Sequence, residues 1–227
     1  MNESMRLLSR KSGVLIATVG LTCAVVGLAG VGTAAADTTP TPPAGGGPAA
    51  GPADGGATGI VDSTSTSGFT FTTAVGVEVT VTEQSSTRYG VGSRPASVKA
   101  VKTGESVFVV GLVSSDDITA VQVTVQPGGD GGAAAAKAAG VIPFQQGQPS
   151  PPRSVGQVPT DYTEGDGTIV SGATAYKATA AAQKVVPGGI ADRVVLLSDG
   201  EYEVHNIGSN WPHHVFVSSD FKVLGYE

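Results

Sequence analysis

Apolar and polar side chains alternate through residues 58–126, and a single helical repeat follows further along. Phe69-Thr-Phe-Thr-Thr73, Val77-Glu-Val-Thr-Val-Thr82, Val107-Phe-Val-Val110 and Val121-Gln-Val-Thr-Val125 are rich in β-branched residues, and most alternate with period two. Gly68, Gly76, Gly104 and Gly111 punctuate them. Ser114-Ser-Asp-Asp117 suits a short hairpin loop, because Ser and Asp side chains bond the local backbone. The pattern predicts six strands, at about 60–62, 69–73, 77–82, 98–101, 106–113 and 118–125. As an open sheet, six short strands would leave exposed edges, so closure into a small six-stranded antiparallel β-barrel is expected.

Residues 168–227 predict one helix and then strands. Ala175, Ala178, Ala182 and Val185 form one stripe, with Thr174 as the expected cap and Pro187-Gly-Gly189 as the stop. Val194–Leu197 and Tyr202–Ile207 flank Asp199-Gly200, a strong two-residue turn signal. His214–Val217 and Lys222–Gly225 flank Ser218-Ser-Asp220 as a second hairpin. The expected fold is therefore mainly β with an α+β part: a barrel, then one helix packed on an antiparallel sheet of two hairpins.

Between and before these blocks the composition changes. Residues 37–57 hold five prolines and six glycines in 21 residues, with no large apolar side chain. Such a stretch buries too little to offset its ordering entropy and reads as a spacer. Residues 127–167 read as a second Gly/Pro-rich spacer. Residues 1–36 read as an export signal: Arg6, Arg10 and Lys11, an apolar run from Val14 to Val31, and Ala34-Ala-Ala36, with cleavage between Ala36 and Asp37. The alternative is an uncleaved anchor, since the run approaches spanning length. Either way, the rest of the chain is expected outside the cytoplasm, secreted or attached to the envelope.

The one cysteine, Cys23, lies in that apolar run. A chain cut after Ala36 has no disulfide, no thiolate zinc site and no cysteine nucleophile. Of 13 basic and 19 acidic residues, the leader carries three and one, which leaves 10 and 18 and a net charge of −8. That balance argues against nucleic acid as a partner.

The stretch "ATAYKATAAAQKVVPGGIADRVVLLSDGEYEVH", with the tail "VFVSSDFKVLG", resembles the PepSY domain family of exported and envelope proteins. The tail lacks the Thr-Gly that usually follows the aspartate. The resemblance implies a small α+β fold that binds peptidases or other extracytoplasmic partners, in some members as an inhibitory pro-segment, with no catalytic residues. The segments "GIVDSTSTSGFTFTT", "VTVTEQSSTRY", "GESVFVVGLV" and "ITAVQVTV" resemble a bacterial domain-of-unknown-function family of small exported β-barrels. That resemblance implies a fold and a location, and no chemistry.

All three histidines lie near the C-terminus. If strands 201–207 and 213–218 pair with Ile207 opposite His213, then Glu203, His205, His213 and Val215 share one face. Tyr202, Val204, Asn206, His214 and Phe216 share the other, expected to be the core. His205 and His213 are then diagonal neighbours at about 7–8 Å. With Glu203 they make a candidate open zinc or copper site, against the alternative of polar surface residues. No G-x-S-x-G elbow occurs, every histidine falls on the small final sheet, and two domains of about 60 residues offer little cleft for a triad, so no enzymatic activity is expected. Gly90-Val-Gly92-Ser-Arg-Pro95 lacks the later glycine of a phosphate loop; with Arg88, Tyr89 and Arg94 it reads as a solvated loop or an anion contact. Trp211, the only tryptophan, is either an exposed contact for a protein partner, together with His214, or folded back over the sheet. The leading expectation is a non-catalytic binding or regulatory module. A metal-binding protein and a peptidase inhibitor are the alternatives.

Overall fold

In the computed structural model the described residues are 51–227; the expected signal, its cleavage point and most of the first spacer lie outside them. The alternating block forms β1 (Ala53–Thr64), β2 (Gly68–Thr73), β3 (Glu78–Val91), β4 (Arg94–Pro95), a 3-10 turn (Val98–Ala100), β5 (Ser106–Ser114) and β6 (Asp117–Val125). Strands β1, β2, β3, β6 and β5 pair in a ring, antiparallel except for β3 with β6. The inward residues of each strand fill it, among them Phe71, Val79, Val107, Val109, Ile118 and Val123. This departs from the expected six-stranded antiparallel barrel. Residues 98–101 are a turn, one pairing is parallel, and the ring is not an isolated barrel because β1 also pairs with a strand of the second block.

That strand also corrects the first spacer. Residues 53–57 belong to β1, which pairs with β5 from Ala53↔Val113 to Ile60↔Ser106. The small residues serve close packing. A Cβ on Gly55 would run into the Ala191 carbonyl, and one on Gly111 into the Thr119 carbonyl. Glycine here lets three strands lie side by side.

The second expected spacer is also structured. It carries α1 (Ala133–Ala139), β7 (Ile142–Pro143) and β8 (Val155–Gly156), and crosses the C-terminal sheet as a strap. Then come β9 (Thr168–Ile169), α2 (Gly172–Val185), β10 (Ile190–Leu196), β11 (Tyr202–Ile207), β12 (Ser209–Trp211), β13 (His214–Val217) and β14 (Val223–Tyr226). The order β1-β10-β11-β13-β14-β8 is antiparallel throughout. Helix α2 lays Ala175, Ala178 and Ala182 on Val194, Val204, Val215 and Val217. It begins earlier than expected, with Ser171 rather than Thr174 at the cap position, and Val185 is exposed while Val186 is buried. The protein is thus mainly β, with the two blocks joined through β1 and β10. Among the described residues, no helix is long and apolar enough to cross a membrane.

Candidate functional site

The site is set by the register of β11 against β13. Tyr202 pairs with Val217, Glu203 with Phe216, Val204 with Val215 and His205 with His214. Asn206, not Ile207, faces His213, and its N–H donates to the His213 carbonyl at 2.7 Å. The pairing is one residue away from the expected one, and in a strand one residue exchanges the faces. His214 and Phe216 therefore leave the helix side and join Glu203 and His205, while Val215 enters the helix-covered core. The cause is shape. The alanine stripe of α2 comes close to the sheet and admits valines there, and Phe216 fits the opposite face, under Tyr162, Leu197 and Leu224.

The two strands, the strap and a bulge bring the polar groups together. Residue 192 lies in a register shift of β10, which places its carboxylate 2.6 Å from His205 Nδ1. Glu203 Oε1 is 2.9 Å from His214 Nδ1, and the Tyr162 hydroxyl is 3.0 Å from the same nitrogen. His213, outside any strand, turns its Nδ1 to the Asn206 carbonyl at 3.2 Å. Ring centroids are 5.3 Å apart for His205 and His214, and 6.3 Å for His213 with each of the others. A carboxylate or carbonyl facing Nδ1 favours a proton on that nitrogen and turns Nε2 away from it. No described residue hydrogen-bonds any of the three Nε2 atoms.

Burial lowers the pKa of His213, and the charges of His214 and His205 lower it further; the Asn206 carbonyl and Glu164 act in the other direction. Burial raises Tyr162, helped by Glu203 and Glu164, so its hydroxyl stays protonated. His213 and His214 open onto a cavity of about 530 Å³ that is also bounded by Arg153, Glu164 and Glu227.

The expected trio of Glu203, His205 and His213 is brought into this neighbourhood, with Glu203 turned to His214. Among the described residues, no three His, Cys, Asp or Glu side chains are placed to hold a metal ion as they stand. Trp211 is not an exposed contact. It is 1% exposed, donates from Nε1 to the Arg153 carbonyl at 3.0 Å, and lies beneath the Arg153 guanidinium, 3.7 Å from the ring centroid. Arg88, Tyr89 and Arg94 line a separate cavity, where burial and Glu83 push Tyr89 up to about 12.

Tyr162, Glu164 and Asp192 escaped the sequence reading. The signal for Tyr162 was an aromatic residue inside a supposed spacer. Asp192 had none, because a bulge positions it. Comparison with family models, curated proteins and solved structures returned no match.

Proposed function

We propose that the protein is an exported, non-catalytic binding or regulatory module of the bacterial cell envelope. The observation that carries this reading is the cleft beside the histidines. It presents both signs of charge, from Arg153, Glu164 and Glu227, and two imidazoles at its wall. Cations, carboxylates and imidazoles together are the groups that recognise a polar, mixed-charge segment. A mixed-charge cleft fits a polar segment of a protein partner better than a lipid or a nucleic acid. The extracytoplasmic location rests on residues 1–36 as an export signal. The five-strand ring supports a small-barrel reading of the first block. The antiparallel sheet under α2 supports a PepSY-like reading of the second.

A photoreactive side chain in place of Glu164, in intact cells, tests the proposal. One dominant adduct with an extracytoplasmic protein, lost on Arg153→Glu, is expected. A peptidase in that adduct turns the reading toward inhibition. Absence of any adduct dependent on Arg153 overturns it.

A further inference from the structure

We infer that His205, His213 and His214 form a three-imidazole site for a divalent transition-metal ion of the zinc–copper class, with Asp192, Glu203 and the Asn206 carbonyl as the groups that orient them. The first support is the hydrogen-bond pattern. Each Nδ1 faces an acceptor, at 2.6 Å from Asp192, 2.9 Å from Glu203 and 3.2 Å from the Asn206 carbonyl. A metal-binding histidine carries this outer arrangement: the partner at one nitrogen fixes the tautomer and raises the basicity of the other. Three Nε2 atoms then remain without a protein partner among the described residues.

Spacing is the second support. Metal–nitrogen bonds of about 2.0–2.1 Å and tetrahedral angles place imidazole centroids about 5.2 Å apart. The His205–His214 pair is already at 5.3 Å. His213, at 6.3 Å from both, must close by about 1 Å, measured against that tetrahedral spacing. Its backbone is held at both the N–H, by the Glu227 carbonyl, and the carbonyl, by the Asn206 N–H, so the closure is a rotation of the side chain about its own torsions. Charge is the third. Two carboxylates beside the imidazoles balance a dication, and His213 and His214 line the cleft through which an ion would enter. Imidazole donors select zinc and copper over magnesium and calcium, which prefer oxygen. The expected carboxylate ligand, Glu203, becomes a supporting group, and His214 takes its place.

This goes beyond the binding-module reading, and the ion would bind with no protein partner present, so the two can fail separately. The test uses the full chain without a purification tag, stripped of metal. Zinc and copper(II) are titrated at neutral pH against a competing chelator, and histidine ring nitrogens are followed by nitrogen-15 NMR. The expected result is one ion per chain, large Nε2 shifts in all three histidines, and retention of the Nδ1 protons. His205→Gln, His213→Gln and His214→Gln should each weaken binding at least about tenfold, and Glu203→Gln about 10–100-fold. A response to only one of the two metals supports the site and names the ion. Binding that survives all three histidine changes, or no stoichiometric binding of either metal, overturns it. Should a variant lose its far-ultraviolet circular dichroism, the ring-nitrogen shifts of the unaltered chain decide.

Discussion

The hydroxyl of Tyr176, on α2, donates to Asp54 of β1 at 2.8 Å, and the same carboxylate accepts the N–H of Gly172 at 2.7 Å. A residue from the first block thus caps the helix of the second, where Ser171 makes no side-chain cap bond. An anionic group at a helix N-terminus is favourable both as an acceptor and against the helix dipole.

Asp54→Ala should therefore destabilise the fold by about 1.5–3 kcal/mol, the range for hydrogen bonds to charged groups. Tyr176→Phe should cost less. Urea titrations of both single variants and the double variant should show the two effects to be non-additive. Simple additivity would mean that the pair is not coupled.

The same contact sets an alkaline limit. Burial, followed by the hydrogen bond and charge of Asp54, raises the Tyr176 hydroxyl above its ordinary value of 10.0. A raised pKa means that the folded chain keeps a proton which the unfolded chain releases. The stabilisation is complete below pH 10.0 and is lost as pH rises from there toward the folded value. Melting temperature followed upward through that window should fall for the unaltered chain and fall less for Tyr176→Phe.

Trp211 should emit at short wavelength and resist quenching by iodide or acrylamide, since its ring is covered by Arg153 and Tyr226. Trp211→Ala removes a fully buried indole and should cost about 3–5 kcal/mol. Arg153→Ala should cost less, about 0.5–1 kcal/mol for the lost cation–π contact of this exposed guanidinium, and should redden the emission. An unchanged spectrum in that variant would contradict the stacking.

Gly55→Ala places a methyl group against the Ala191 carbonyl between two strands that cannot easily part. Overpacking of this kind costs about 1–3 kcal/mol. Denaturation should report that loss, whereas alanine at Gly51, which has open space around it, should change little.

The strands of the first block were legible because one face of each is buried, and burial of one face writes period-two alternation into sequence. The runs at 106–113 and 118–125 lie within β5 and β6. Residues 53–57 and 127–167 were not legible. Glycine, alanine and proline mark both a chain too polar to pack and a strand or strap that packs backbone against backbone, and composition alone does not separate the two. The histidine neighbourhood was foreseen, but its membership was not. β12 interrupts the connection between β11 and β13, so the simple hairpin register fails by one residue. Assigning Phe216 to the helix side made the same error, since its cover comes from Tyr162 in the strap.

The pairing of Gly56 with Ala191 has a temporal side. A chain made from its N-terminus completes all five ring strands well before Ala191 exists. Until then the first half of β1 has β5 on one flank and nothing on the other. That flank is a bare ladder of amide and carbonyl groups, the kind of rim through which chains join edge to edge. The C-terminal sheet is thus the fitted cover of the ring, and a chain truncated before β10 should aggregate even though its ring is complete.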